Sequence, residues 1–261
     1  MAGFENIIKT DNIFFRYAKG KSIEQGNEFH DYHEILYIKN AHGKFISEKT
    51  EIDLKPGMLI IIPKETFHTF TMENEDEYTR HCLNFLDVDG CGELICRCTQ
   101  SIYISYSPCD MAVRLFKDIE NSFCRSYSTD EMQLFLYSFF TRLMLELKTN
   151  ITSLSVSENR DRDSLIYRTL VYINNNFKND MDIEQIAKNM YVSKSQLSHK
   201  FSSELNISIY RYILNKKLIY ANRLIKNAVS PALAGKAAGF NDYSAFYRAY
   251  KKYYGHSPSA Q

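Results

Sequence analysis

The stretch IEQIAKNMYVSKSQLSHKF (residues 183–201) predicts two short helices joined by a tight turn. Asp182 and Ser193 carry side-chain oxygens that can cap a helix start, and each is followed three residues later by a Gln. Leu197 and Phe201 are spaced four residues apart, so they share one face and point to a core. A short helix, a tight turn and a second helix with a polar outer face make up the helix-turn-helix pattern.

The pattern recurs in AGFNDYSAFYRAYKKYYGHSP (residues 238–258) and the residues before it. Ser230 followed by Pro231 is typical of a helix start, and Gly239 is typical of the end of that short helix. Asn241 or Asp242 can then cap a last helix. The chain therefore carries two helix pairs of the same kind.

A helix is predicted between the two pairs, over residues 209–226. At the rise of an α-helix its length is roughly 27 Å. The major groove returns to one face of duplex DNA after about 34 Å. A spacer of this length, widened by the helices it joins, suits two outer helices that enter successive grooves. The alternative is an ordinary all-α domain whose charged faces are only solvated.

The charge of the chain is divided unevenly. The whole chain has a formal charge of +1, but residues 160–261 hold sixteen Lys and Arg against seven Asp and Glu, a charge of +9, which leaves −8 for the rest. A basic half favours a polyanion partner, because cationic side chains release counterions from phosphates. Chance asymmetry between two domains is the alternative.

The outer faces of the two second helices supply the candidate DNA contacts. Lys, Arg, Asn, Gln and Ser suit phosphates and base edges. The candidates are Lys194, Ser195, Gln196, His199 and Lys200 in the first pair and Asn241, Ser244, Arg248, Lys251 and Lys252 in the second.

At these residues the sequence resembles the AraC/XylS family of bacterial transcription regulators, over residues 164–258. The second stretch is similar to the family's most recognisable element: Gly-Phe, a polar cap, an aromatic residue, a basic residue, a basic pair and Gly-x-x-Pro. The resemblance implies a bipartite domain of seven helices that binds double-stranded DNA, contacts RNA polymerase and activates transcription. It also places Lys217 at a basic position that contacts the DNA backbone.

Two residues depart from the family pattern. Pro231 stands where an apolar β-branched residue is usual, and Gly235 stands where alanine is frequent. We expect the glycine to lower the stability of its helix by about 1 kcal/mol relative to alanine.

The first hundred residues predict β-strands. Short apolar runs such as EILYI (34–38) and MLIIIP (58–63) are broken by turn residues. The stretches HDYHEILYIKNAHGKF (30–45) and LKPGMLIIIPKETFH (54–68) resemble the cupin-like barrel that precedes the DNA-binding domain in many such regulators. The expected fold is therefore α+β and multidomain, a cupin-like barrel with a helical pair followed by an all-α double helix-turn-helix domain. The expected segments are a barrel over 1–106, a helical dimerisation segment over 107–148, a linker over 149–162 and the DNA-binding domain over 163–261.

The cupin resemblance also identifies candidate pocket residues. In catalytic cupins a His-x-His, a Glu and a later His bind a metal, and the corresponding residues here are Glu28, His30, Glu34 and His68. Such a set could hold a divalent metal, but in sensor barrels it usually lines an effector pocket, so we expect no metal and no cofactor.

Other residues of this half are weaker candidates. Arg16 and Arg80 could line the effector pocket, because a buried Arg can bind a carboxylate ligand through two hydrogen bonds. His81 could also face the interior of the barrel. For each of these residues the alternative is an exposed position on a strand. The three cysteines close in sequence are interpreted as free thiols in preference to a zinc or redox site, because no second ligand pair follows at a standard spacing. They are Cys91, Cys96 and Cys98.

A second helical signal lies between the barrel and the linker. Ser107 followed by Pro108 predicts one helix start, and Ser128 with Glu131 predicts a capping box at another. The helix over residues 130–148 is apolar on most sides, so it must be buried on more than one face. A monomer core is one solution, and we favour a homodimer through the N-terminal half. The polar stretch TNITSLSVSENRDR (149–162) follows as the linker.

The preferred hypothesis is a regulator, not an enzyme, whose DNA binding is modulated by a small-molecule effector in the barrel. No apolar run of about 18 residues and no signal pattern occurs, which predicts a cytoplasmic protein without membrane contact, and free thiols agree with a reducing compartment. One alternative is a cupin metalloenzyme with an accessory nucleic-acid-binding domain. Another is a regulator without a small-molecule ligand.

Overall fold

The computed structural model describes residues 4–20, 29–48, 50–86, 88–99, 102–105, 110–150, 161 and 163–259. The chain divides into two compact units, Met1–Asn159 and Arg160–Gln261. Glu28, the predicted helix start at Ser107-Pro108 and most of the predicted linker lie outside the described residues.

The described strands of the N-terminal unit pair in two antiparallel sheets. One sheet has six strands in the order β1-β2-β8-β3-β6-β9, and the other has three in the order β5-β4-β7. The strands are β1 (Phe4–Lys9), β2 (Ile13–Lys19), β3 (His33–Asn40), β4 (Gly43–Ser47), β5 (Glu51–Asp53), β6 (Leu59–Ile62), β7 (His68–Met72), β8 (Thr79–Phe85) and β9 (Tyr103–Ser105).

The six-stranded sheet has a core on each face, because side chains alternate along a strand. On β3, Leu36 and Ile38 pack against the second sheet together with Phe45 of β4. Ile35 points to the opposite face of the sheet, into a second core that also contains Phe116 of a covering helix. Polar side chains on the same face as Leu36 and Ile38 are therefore enclosed between the two sheets.

Three helices cover the second face: α1 (Gly92–Cys98), α2 (Asp110–Ser122) and α3 (Thr129–Asn150). The predicted capping box at α3 is confirmed, since Ser128 N–H donates to Glu131 Oε2 at 2.7 Å and Glu131 N–H donates to Ser128 Oγ at 3.3 Å. One side of α3 is buried in this core, including Phe139, Phe140 and Leu143. The unit itself therefore covers much of the helix.

The C-terminal unit is helical in its described residues. Its helices are α4 (Leu165–Asn176), α5 (Ile183–Asn189), α6 (Lys194–Leu205), α7 (Ile209–Lys226), α8 (Pro231–Ala237) and α9 (Tyr243–Tyr254). The turn between α5 and α6 passes through Tyr191, whose φ is +60°. The predicted fold class, a β-rich domain with a helical pair followed by an all-α double helix-turn-helix domain, is confirmed. Among the described residues no helix combines the length and the apolar character needed to cross a bilayer.

Gly235 has a packing role beyond its effect on helix propensity. A Cβ at this position of α8 would lie 2.8 Å from Cδ1 of Phe246 on α9. Phe246 is fully buried in the core of this second helix pair. The glycine therefore lets α8 and α9 approach closely, a contact that alanine would obstruct.

Candidate functional site

The outer face of α6 is formed by the polar side chains predicted from the sequence. Ser193 caps the helix by accepting a hydrogen bond from Gln196 N–H at 3.2 Å. Leu197 and Phe201 are fully buried, which fixes the rotation of the helix about its axis. The residues left exposed are Lys194, Ser195, Gln196, His199 and Lys200.

Two of these lysines lie near acidic groups. Lys194 Nζ is 3.1 Å from Glu184 Oε1, and Lys200 Nζ is 3.9 Å from Glu204 Oε1. Both pairs are solvent-exposed, and pairs of this kind contribute roughly 0–1 kcal/mol. A phosphate can therefore compete for either lysine.

The outer face of α9 is more strongly basic. Asp242 caps the helix by accepting from Ala245 N–H at 2.7 Å, and Phe246 and Tyr250 are buried on the core side. Within the described part of the chain no carboxylate forms an ion pair with Arg248 or either of the lysines that follow it. The predicted residues on this face are all exposed: Asn241, Ser244, Arg248, Lys251 and Lys252.

Lys217 of α7 is placed differently from the outer-face residues. Its ammonium group donates to Gly239 O at 2.7 Å and to Asn179 O at 3.3 Å. Burial lowers its pKa. The amine thus links the loop before α5 to the turn before α9, and its contact with the DNA backbone stays a prediction.

α7 also anchors the second helix of each pair. Phe201 of α6 contacts Tyr212 of α7, with ring centroids 5.6 Å apart. Tyr250 of α9 donates its hydroxyl to Asn222 Oδ1 of α7 at 2.7 Å. The two outer helices are therefore both tied to one 18-residue helix.

In the N-terminal unit, three of the predicted pocket residues come together between the sheets. Glu34 lies on β3, His68 begins β7 on the other sheet, and His30 precedes β3. His30 Nε2 is 3.2 Å from Glu34 Oε2, and His68 Nε2 is 3.1 Å from the same oxygen. The three side chains are buried, and their ligand atoms all lie within 4.8 Å of one another. Glu28, the fourth predicted member, lies outside the described residues.

The other ring nitrogen of each histidine contacts the main chain. Nδ1 of His30 lies 2.8 Å from Tyr32 O, and Nδ1 of His68 lies 3.1 Å from Thr66 O. A carbonyl oxygen can only accept, so both Nδ1 atoms carry hydrogen and donate. The Tyr32 ring stacks on His30 with centroids 3.9 Å apart. Both imidazole rings are therefore fixed in orientation.

Cys82 belongs to this cluster and was missed in the sequence analysis. Its Sγ lies 3.0 Å from Glu34 Oε1 and 3.1 Å from Asn84 Oδ1. Burial, followed by the charge of Glu34, raises the pKa of this thiol well above its usual range. A signal was present, because Arg80, Cys82 and Asn84 stand at alternate positions of β8 and therefore share one face of the strand.

Glu34 is ionised in this setting. Burial raises its pKa, but hydrogen bonds to His30 and His68 and their charges outweigh that effect, so the pKa lies well below its usual value. A carboxylate is therefore the form that both imidazole rings face.

Arg16 and Arg80 share the inter-sheet face with Glu34 and are buried. Arg80 Nη1 donates to Gly20 O at 2.6 Å, and Arg16 Nε lies 3.0 Å from Glu5 Oε1. Both guanidinium groups thus have partners within the protein.

The expectation that His81 faces the same interior is wrong. His81 stacks on Phe116 of α2, with centroids 5.3 Å apart, and on Tyr17 at 4.6 Å. Its neighbour Arg80 faces the other sheet, and consecutive residues of a strand point to opposite faces. Burial lowers the pKa of His81 from 6.5 to about 4, against an opposing effect of Glu120.

A cavity of about 220 Å³ opens at the edge of this unit. Tyr32 and Asn84 line it beside the ends of β2 and β8. Among the described residues the cysteines form no disulfide, and His30, Glu34 and His68 make up the only group of three potential metal ligands.

Two family models match the chain. The AraC-like ligand binding domain matches residues 15–86, and a helix-turn-helix domain matches residues 186–260. Together they cover more than half of the chain. The chain belongs to the AraC family of transcription regulators.

Two relatives of the chain are named as operon regulatory proteins. The chain is 24% identical to the Msm operon regulatory protein of Streptococcus mutans, over 90% of this chain and 85% of that protein. It is 33% identical to the arabinose operon regulatory protein of Escherichia coli, over 39% of this chain and 34% of that protein. ToxT from Vibrio cholerae is a solved structure that aligns over 99% of this chain and 97% of its own, with 14% identity and a TM-score of 0.41.

Both candidate sites of this AraC-family regulator lie within the matched regions. The ligand-binding match includes the buried polar side chains between the two sheets, which we call the inter-sheet cluster. Its members are Arg16, His30, Glu34, His68, Arg80, Cys82 and Asn84. The helix-turn-helix match includes α6 and α9.

Proposed function

We propose that this AraC-family regulator binds a specific DNA duplex by placing α6 and α9 in successive major grooves, and that it activates transcription by contacting RNA polymerase. The observation that carries the proposal is a pair of capped helices, both anchored on α7, that expose polar and basic faces. Cationic side chains supply affinity through phosphates, and Gln and Asn side chains supply base discrimination. The protein acts by binding and not by catalysis, in the cytoplasm.

The N-terminal unit is proposed to bind the effector that modulates this activity. Arg16, His30, Glu34, His68 and Arg80 are the proposed pocket residues; they are buried, and all lie within the ligand-binding match. A ligand shifts DNA binding only by favouring one conformation of the protein over another.

A homodimer through the N-terminal unit is the proposed assembly. Leu134, Tyr137 and Leu145 of α3 are 69%, 39% and 50% exposed. They follow one another at helical spacing, so they lie along the side of α3 turned away from its core. A second copy of the same helix would cover them through a two-fold contact.

Selection of duplexes from a random pool tests sequence-specific binding. The proposal expects enrichment of one sequence with two separate halves. Gln196→Ala is then expected to relax preference at one base pair of the selected duplex by roughly 1–3 kcal/mol, with binding to random DNA nearly unchanged. Arg168→Ala is the matched control, because Arg168 is exposed on α4, outside both helix pairs. No enrichment of any sequence would refute specific binding, and equal losses on both DNAs would refute a base contact by Gln196.

A further inference from the structure

We infer that Lys178 and Arg223 bind the phosphates that border the minor groove between the two halves of the DNA target. The inference rests on the proposed function, in which α6 and α9 enter successive major grooves, and adds a contact at the DNA between them. It starts from cations on the loop before α5 and on α7, at the point where the two helix pairs meet.

The loop before α5 touches the turn before α9, a contact that we call the junction. A Cβ on Gly239 would collide with the main-chain oxygen of Lys178, so the two segments lie against each other. Lys217 holds them together by donating to Asn179 O and Gly239 O. Two residues of chain span at most about 7 Å, so Asn241 on the outer face of α9 lies close to the junction. The junction therefore lies beside the start of a predicted DNA-binding helix.

Two cations at the junction share one aromatic ring. Lys178 Nζ is 4.2 Å and Arg223 Cζ is 5.2 Å from the centroid of the Tyr220 ring. The face of the ring attracts both cations, but it carries no net charge that would neutralise them. Both cationic side chains are exposed, and within the described residues no carboxylate forms an ion pair with Lys178. Two like charges held near one ring favour an anionic ligand.

Lys217 is less suited to this contact than its two neighbours. Its ammonium group has three N–H donors, and two main-chain carbonyls of the junction accept from it. The side chain is half-buried, whereas Lys178 and Arg223 are exposed. The positive charge that the junction presents to solvent therefore comes mainly from these two residues.

The shape of duplex DNA indicates which anion meets the junction. Successive major grooves on one face of the duplex are separated by a minor groove, which has a phosphate backbone on each side. A protein that places α6 and α9 in those major grooves turns the junction between its helix pairs towards that minor groove. The groove is only about 6 Å wide, so phosphates of both strands lie close together there. This contact depends on phosphate charge and not on base identity.

Charge removal at the junction tests the inference. Lys178→Gln and Arg223→Gln keep most of each side chain, and binding is measured by fluorescence anisotropy over a salt series. We expect each variant to select the same sequence as the wild type, and to reduce the slope of log K against log salt by about one. Arg168→Gln, which removes an exposed cation of α4 outside both helix pairs, should keep the wild-type slope.

Neutral methylphosphonate linkages in the selected duplex locate the contact. Placed between the two halves, they should weaken wild-type binding, and Lys178→Gln should then cause a smaller further loss than on the unmodified duplex. Linkages outside both halves are the control and should leave the effect of Lys178→Gln unchanged. Wild-type slopes in both variants, or an equal loss for Lys178→Gln on all three duplexes, would overturn the inference while sequence selection still supports the proposed function. Failure to select any sequence would instead refute the proposed function, and this inference with it.

Discussion

At residue 235 two opposing effects can be compared by magnitude. Alanine is worth about 0.8–1.0 kcal/mol over glycine in a helix interior. Against this, a Cβ would lie 2.8 Å from the ring of Phe246, and overpacking of a core costs about 1–3 kcal/mol. The buried ring has little room to move, so the steric effect outweighs the helix propensity.

Gly235→Ala is therefore expected to lower the free energy of unfolding by about 1–2 kcal/mol, although it improves helix propensity. Urea unfolding of the full chain measures the change. Ala237→Gly on the exposed side of α8 is the control for propensity alone. An increase in stability for Gly235→Ala would show that Phe246 moves aside easily.

His81 illustrates how burial makes stability depend on pH. Its folded pKa is about 4 against 6.5 in the unfolded chain, because burial disfavours the charged ring. A depressed pKa means that the contribution of the neutral ring to stability is complete above pH 6.5. It is lost as the pH falls from 6.5 towards 4, up to about 3 kcal/mol.

His81→Phe keeps an aromatic ring among Tyr17, Tyr37 and Phe116 but cannot be protonated. We expect the variant to lose less stability than the wild type between pH 7 and pH 4.5. Urea midpoints at the two pH values give the comparison, with His42→Phe as an exposed control. Parallel losses in all three proteins would assign the acid sensitivity to other groups.

At the scale of elements, helices were predicted more closely than strand pairs. The ends of α7 match the prediction at residues 209–226, and Asp182, Ser193 and Asp242 cap the helices they were expected to cap. Caps act within a few residues, so the local sequence contains the signal. The partners of β3, by contrast, are β6 and β8, which lie far along the chain, and hydropathy does not specify partners.

The same distinction applies to the inter-sheet cluster. His30, Glu34 and His68 were predicted together through a family resemblance. Cys82 joins them only because β8 pairs with β3, and His81 was assigned to the wrong face although strand alternation separates it from Arg80. The contact of Cys82 depends on the register between β8 and β3, which the sequence left open, whereas the face of His81 was misassigned although alternation within one strand determines it.

The exposed side of α3 carries the prediction for assembly. Leu134→Glu combined with Leu145→Glu should convert the proposed dimer to a monomer in sedimentation velocity. Leu134 and Leu145 are only 69% and 50% exposed, so each of the four leucines per dimer contributes about half of the roughly 1.5 kcal/mol of full burial. The total of about 3 kcal/mol corresponds to about a hundredfold in the dissociation constant, since about 1.4 kcal/mol is tenfold. Leu233→Glu, at an exposed leucine of the other unit, should leave the mass unchanged. A dimer that persists in the double variant would exclude α3 as the interface.

At the scale of the whole molecule, a net charge of +1 conceals the +9 of residues 160–261. Affinity for DNA should therefore follow the local charge and fall steeply with added salt. Lys251→Ala is expected to weaken binding to specific and random DNA alike, and to reduce the slope of log K against log salt by about one. Fluorescence anisotropy over a salt series measures the slope, with Arg168→Ala as the control. An unchanged slope would place Lys251 away from phosphate.

The link made by Lys217 has a consequence for how target promoters can evolve. Its bonds to Asn179 O and Gly239 O, with the anchoring of α6 and α9 on α7, fix the spacing of the two outer helices. In the proposed complex an altered base pair removes one contact, whereas an inserted base pair shifts one half of the target by about 3.4 Å and turns it by about 35°, which would disengage a whole helix. Promoters under this regulator are therefore expected to diverge by base substitution while the distance between the two halves of each target stays constant.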